Sequence, residues 1–256
     1  PLDVVPPRHF ENGIVGKVES ICHDSHNSSA YRVEISYQNE IAGPHSCQFF
    51  NCLFGNVSLK NNVRIIDFTI PSFLTDILPG PRYGIDGLRS LLGVYKRPLL
   101  CTALKPMGLE SKILAEMTKQ YAVGGADLIK DDHGISNQRY HPFKERIARC
   151  QDAVERVNLK RGRRTLYVPM VNGAFDEIEE QVQFALSCGV RGVMMAPLLI
   201  GMDTFRYIAQ KYDLLIIAHP AFSGAYVTNP LHGMTPAVLL GTIFRLLGGD
   251  ISIFPN

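Results

Sequence analysis

Polar and apolar residues alternate at period two over the first part of the chain. The clearest runs are Ile14-Val15-Gly16-Lys17-Val18-Glu19-Ser20-Ile21 and Tyr31-Arg32-Val33-Glu34-Ile35-Ser36-Tyr37. A strand with one face on a core and the other in water produces this pattern. A third strand is expected at 63–68, and a helix at 47–53 that stops at Phe54-Gly55-Asn56. Together these elements predict an α+β domain over residues 1–78.

Past Leu78-Pro79-Gly80-Pro81 the pattern changes to strand-then-helix units. Apolar strands are expected at 98–106, 126–132, 164–171, 192–197, 214–220 and from 251. Between them run helical stripes: Ile113, Leu114, Met117 and Tyr121, then 143–157, then Ile178, Val182, Ala185 and Leu186, then 204–211. In the last helix Thr235 caps, Pro236 takes the first turn and Gly248-Gly249 ends it. Six strands alternating with five helices imply a parallel sheet covered by helices. A (β/α)8 barrel has eight such units. The expectation is therefore a barrel domain over 79–256 holding strands one to six and truncated C-terminally, after an N-terminal domain that is itself incomplete. A complete doubly wound sheet is the competing arrangement, but no Gly-rich phosphate fingerprint follows the first strand.

With 256 residues, 46% of them hydrophobic, the chain can bury a substantial core. Its net charge of +2 is spread out, so nucleic acid and membrane surfaces are not expected partners. No apolar run approaches the ~20 residues of a spanning helix. The six cysteines show no CxxC spacing and read as reduced, buried thiols of a cytoplasmic protein.

In a parallel barrel the chemistry sits at the C-terminal strand ends. Those ends carry Lys105-Pro106, Lys130-Asp131-Asp132-His133, Asn172-Gly173, Ala196-Pro197 and His219-Pro220. Strand alternation puts Lys130 and Asp132 on one face and Asp131 on the other. A lysine facing the lumen is pushed toward its neutral amine, which can react with CO2 to give a carbamate. Carbamate and Asp132 would then offer hard oxygens to Mg²⁺, which acidifies a carbon beside a carbonyl. From spacing alone an ion pair between Lys130 and Asp132 is the simpler reading. Lys105 is either an acid or base at the first strand end or a lysine reaching into solvent. His219 follows five apolar residues and is either a satisfied core histidine or a rim residue. Asn172 is either a turn residue or a rim residue.

As an ordered set these motifs resemble the RuBisCO large-subunit superfamily. Gly80-Pro81-Arg82-Tyr83-Gly84-Ile85-Asp86-Gly87 is similar to the segment that leads into barrel strand one. Lys105-Pro106 resembles the strand-one loop, and Lys130-Asp131-Asp132 resembles the site of lysine carbamylation and Mg²⁺ binding. His219 matches a strand-five histidine, and Leu247-Gly248-Gly249-Asp250 precedes strand six. The resemblance implies a (β/α)8 barrel behind a ferredoxin-like α+β domain. It also implies catalytic Lys105, Lys130 and His219, substrate contacts from Asn51 and Asn172, and Mg²⁺ held by Lys130 as carbamate, Asp132 and His133. A phosphorylated sugar or sugar acid is the implied substrate. The family pairs two subunits so that one N-terminal domain completes the other's site. That implies a homodimer and a role for Asn51, with Cys52 as the alternative match.

The departures decide the chemistry. Met107 replaces the second loop lysine, His133 the metal-binding glutamate and Pro220 a phosphate-gripping arginine. Ala196-Pro197 replaces His-Asp, and no histidine lies in 251–254. The resemblance therefore implies a RuBisCO-like enzyme that enolises, isomerises or decarboxylates without fixing CO2. A true carboxylase, a Schiff-base barrel using Lys130 or Lys105 and a non-catalytic scaffold are the alternatives.

Overall fold

A computed structural model describes residues 8, 13–25, 29–78 and 80–255; Pro79 at the predicted junction lies outside the described residues. The chain divides into two compact units, Pro1–Lys60 with Thr69–Ile77, and Asn61–Phe68 with Leu78–Asn256.

In the first unit β1 (Lys17–His23) and β2 (Tyr31–Ser36) pair antiparallel, with Val18 opposite Ile35 and Ile21 opposite Val33. A helix, α1 (Ser46–Phe54), follows and buries Phe49. The strand expected at 63–68 is corrected by the structure. Only Arg64–Ile65 (β3) is extended in a ladder; it belongs to the second unit, where it pairs in parallel with Gly233–Met234. Alternation identifies a strand but not its partner. Asp67 Oδ1 takes the N–H of Phe68 at 2.8 Å, a local bond that competes with any longer ladder.

The second unit opens with α2 (Gly84–Leu92) and then alternates as its pattern predicts. Its order is β4 (Cys101–Leu104), α3 (Ser111–Gly124), β5 (Leu128–Asp131), α4 (Phe143–Arg161), β6 (Leu166–Val168), α5 (Phe175–Ser187), β7 (Gly192–Met195), α6 (Met202–Lys211) and β8 (Leu215–Ala218). The two-residue β9 (Gly233–Met234) and β10 (Ile251–Ser252) complete the strands. Among the described residues β4, β5 and β6 form one parallel sheet and β7, β8 and β10 another. A bridge from Met170 to Met194 joins them. Strand order thus follows chain order, with no reversal of the kind that defines a doubly wound sheet. β7 and β8 are buried along their whole length, as strands covered on both faces must be.

The helices earn their places by spacing. α4 buries Phe143, Ile147, Cys150, Val154 and Val157 along one stripe. It ends at Gly162, whose φ of +62 suits a residue without Cβ. The inner face of the sheets packs Leu128, Val168, Met170, Met194, Leu215 and Ile217 against Leu88 and Leu92 of α2. In the last helix Thr235 Oγ1 accepts the N–H of Val238 at 3.3 Å. Residues Ala237–Ile243 wind as a π-helix, in which Val238, Leu239, Leu240 and Ile243 are all buried, before an α-turn at Phe244–Leu246.

All six cysteines are free, but the expectation that they are buried holds only for Cys150. Cys22, Cys47 and Cys101 are exposed, and Cys52 and Cys188 are half-buried. Cys22 sits on β1, which is exposed along its whole length. Among the described residues no helix is long and apolar enough to cross a membrane.

Asp250 ties three elements together. Its Oδ1 accepts the N–H groups of Tyr83 (2.6 Å) and Gly84 (3.0 Å) at the start of α2, and its Oδ2 accepts the N–H of Ile216 on β8 (2.9 Å). A carboxylate is favoured at a helix N-terminus, where N–H groups lack intrahelical partners. Asp250→Ala should therefore lower the unfolding free energy by about 2–3 kcal/mol in urea titration. A change below about 0.5 kcal/mol would show that the anchor is replaceable.

Candidate active site

Alternation along the strands aims the rim residues. Leu128 on β5 and Ile217 on β8 both face the inner apolar cluster. Counting on by two from Leu128 gives Lys130 and then Asp132, and from Ile217 gives His219. Asp131, between the two β5 rim residues, turns outward. It is fully buried and accepts hydrogen bonds from Arg146 Nε (3.2 Å), the Tyr167 hydroxyl (2.9 Å) and the Met170 N–H (3.0 Å).

Lys130 is half-buried and donates from Nζ to the carbonyl of Asp131 at 3.1 Å. Burial lowers its pKa from the ordinary lysine value, and the positive charge of Lys105 pushes the same way. Cys101, Asp132 and Asp131 pull against this shift. The ion-pair reading is therefore not what dominates Lys130: desolvation outweighs the pull of Asp132. Asp132 is accessible to solvent, with the Gly134 N–H donating to its Oδ2 at a long 3.3 Å. His133 Nδ1 lies 3.7 Å from the same oxygen.

His219 stacks on His133 with ring centroids 4.5 Å apart and an interplanar angle of 21°. Its pKa is pushed down to about 4, first by burial and then by His133 and Lys130, against the opposite pull of Asp132. The ring is thus neutral near pH 7. Its Nδ1 accepts the N–H of Ala221 at 3.1 Å, which puts the ring proton on Nε2 as a donor. Lys105 is exposed at the end of β4 and within electrostatic range of Lys130. Asn172 is half-buried after β6, and its Oδ1 accepts the Ser136 hydroxyl at 2.6 Å. That leaves its NH2 as the group to offer a substrate oxygen. Asn51 belongs to the first unit, exposed on α1, and its Nδ2 donates to Gln48 Oε1 at 3.3 Å. The structure thus brings Lys105, Lys130, Asp132, His133 and His219 into one neighbourhood.

Among the described residues no group of three or more His, Cys, Asp or Glu side chains is placed to hold a metal. Asp132 and His133 alone make a thin set, so a metal here needs a further donor. Lys130 supplies one only if its amine gains acidic oxygens. The lowered Lys130 pKa and the lightly bonded Asp132 carboxylate fit that requirement, and both would present hard oxygen to a cation such as Mg²⁺.

Sequence reasoning missed the residues behind the rim, Ser136 and Arg146. Arg146 had a legible signal, because it stands four residues before Cys150 on the buried stripe of α4, where a charge demands a partner. Cys101, near enough to Lys130 to influence it, carried no such signal.

Folding lowers the His219 pKa from 6.5 to about 4, so between those values the unfolded chain binds the extra proton. Its contribution to stability is fully present above 6.5 and is lost as pH falls toward 4. In NMR titration of the metal-free protein the His219 ring signal should move with a midpoint near 4. A midpoint near 6.5 would mean a solvated ring.

Residues 84–253 match the family described as ribulose bisphosphate carboxylase large chain, catalytic domain. The chain is 36% identical to a 5-methylthioribulose-1-phosphate isomerase of Rhodospirillum rubrum, over 100% of this chain and 67% of that protein. It is 32% identical to a 2,3-diketo-5-methylthiopentyl-1-phosphate enolase of Bacillus velezensis, over 95% of this chain and 61% of that protein. The crystal structure of a RuBisCO-like protein from Rhodopseudomonas palustris superposes with a TM-score of 0.89 at 37% identity, covering 100% of this chain and 69% of that one. The chain therefore spans about two thirds of the length of these relatives. With a matching catalytic domain, similarity to these relatives along the whole of this chain and the same fold, the chain belongs to the ribulose bisphosphate carboxylase large-chain family.

Proposed function

We propose that this protein enolises a phosphorylated five-carbon keto sugar without fixing CO2, as a RuBisCO-like isomerase or enolase. The observation that carries the reading is the convergence of a half-buried, acidified Lys130 with Asp132 and a neutral His219 at the C-terminal ends of β5 and β8. The compounds named for the two relatives both carry a ketone, a 1-phosphate and a 5-methylthio group, and a substrate of that class suits the site.

Lys130, as a carbamate formed with CO2, and Asp132 would hold Mg²⁺, with His133 as a third donor. When bound, the ion would polarise the substrate carbonyl and lower the pKa of the adjacent C–H. Lys105 or the Lys130 carbamate takes the proton from that carbon. The His219 Nε2–H donates to the oxygen that gains negative charge, and the Asn172 NH2 orients a substrate oxygen. Carboxylation is disfavoured by the replacements at Met107, His133, Ala196-Pro197 and Pro220, which remove a loop lysine and phosphate-gripping charge.

The six-strand arc is read as part of a (β/α)8 barrel preceded by a ferredoxin-like domain. The family resemblance supports a homodimer in which Asn51 of one copy, or Cys52 beside it, serves the substrate of the other. Six free cysteines support a reducing, cytoplasmic setting.

Turnover of a 1-phosphorylated keto sugar should require both Mg²⁺ and bicarbonate. Lys130→Met and Asp132→Asn should each reduce kcat by at least ~100-fold. Full turnover after EDTA treatment and CO2 depletion would contradict the mechanism. Failure of the full-length protein to take up Mg²⁺ at millimolar concentration would point to a non-catalytic scaffold that has lost its metal.

A further inference from the structure

Arg146 is a guanidinium with no solvent exposure, and it reaches out of α4 in two directions. Its Nε donates to Asp131 Oδ2 at 3.2 Å, at the end of β5. Its Nη1 donates to the carbonyls of Ser136 and, at 3.0 Å, of His141, both in the loop that leaves β5. That loop begins with Asp132 and His133. It also bears Ser136, whose hydroxyl holds Asn172 Oδ1 at 2.6 Å, and His141, whose buried ring has Nδ1 3.0 Å from the carbonyl of Leu109 in the loop after β4. One buried side chain thus binds the loop after β5 at both ends, and through it the loops after β4 and β6.

A buried charge of this kind is expensive unless paired: replacing a whole buried pair by apolar side chains is often neutral for stability, whereas removing one partner strands the other. Its geometry suits another task. Only a guanidinium presents separate donors in a fixed fork, so only arginine can hold a strand-end carboxylate and two loop carbonyls together. The Tyr167 hydroxyl on Oδ1 and the Met170 N–H on Oδ2, the oxygen that Arg146 also bonds, hold Asp131 in place, so the clamp has a fixed base.

We propose that Arg146 is a positioning residue that fixes the rim loop of β5, and with it the approach of Asp132, His133 and Asn172 to metal and substrate. The part concerning metal rests on the proposed function; the clamp on the loop stands on the hydrogen bonds alone. Arg146→Lys keeps the charge opposite Asp131 but cannot span all three acceptors. Tyr167→Phe removes one support of Asp131 and leaves Arg146 in place.

The decisive experiment compares wild type, Arg146→Lys and Tyr167→Phe by amide hydrogen exchange resolved along the chain. In parallel, Mn²⁺ binding is measured by calorimetry in the presence of bicarbonate. Exchange across residues 133–141 should accelerate in Arg146→Lys while the amides of β7 and β8 keep their protection. The Mn²⁺ dissociation constant should rise about 10- to 100-fold. Tyr167→Phe should move both readouts the same way by less, and it decides the matter if Arg146→Lys does not fold. Unchanged exchange across 133–141 in a folded variant would overturn the proposal, as would a uniform loss of protection over the whole second unit. A loosened loop in a protein whose wild type binds no Mn²⁺ would uphold the clamp and sink the metal-dependent function.

Discussion

Successive side chains of a strand leave on opposite faces, and on β5 that rule assigns three neighbouring ionisable residues to two environments. Lys130 and Asp132 face the inner rim, where a charged amine is costly and a carboxylate is open to a ligand. Asp131 faces outward into a buried network with Arg146, Tyr167 and the Met170 N–H. Burial pushes the Asp131 carboxyl up, and the Arg146 charge with these hydrogen bonds resists that shift. A one-residue slip of β5 would exchange the two roles and dismantle both. The parallel register, with Lys130 beside Ala103 on β4 and Val168 on β6, is therefore what makes a site possible.

The electrostatics follow from that geometry. Lys130 and His219 come from strands in different sheets and meet over the apolar inner cluster. Burial is the leading cause of both shifts, and each is disfavoured as a cation by nearby positive or potentially positive groups. A site that pushes an amine toward its neutral form and keeps an imidazole neutral is suited to handling protons beside a carbonyl.

Much of this was legible in the chain. The strand-helix alternation from 98 onward and the shared face of Lys130 and Asp132 follow from local periodicity, which the chain carries in itself; the helix expected at 143–157 runs on to Arg161 and stops at Gly162. What escaped are features set by distant partners. The segment at 63–68 looked like a third strand of the first unit, yet its two paired residues join Gly233–Met234 across more than half the sequence. The helix Gly84–Leu92 is too short to announce itself, with only Leu88 and Leu92 buried. Most of the cysteines proved accessible because hydrophobic type does not reveal which face of an exposed hairpin or helix a residue takes. The protonation site of His219 depends on one backbone N–H, from Ala221, and no sequence pattern encodes it.

In the proposed function Lys130 becomes an anionic oxygen donor by carbamylation. Incubating the protein with Mg²⁺ and ¹³C-labelled bicarbonate and recording its carbon NMR spectrum tests this most directly. One protein-bound carbamate carbon signal is expected, and it should disappear in Lys130→Met. No such signal in the folded protein, or one that survives the substitution, would contradict it.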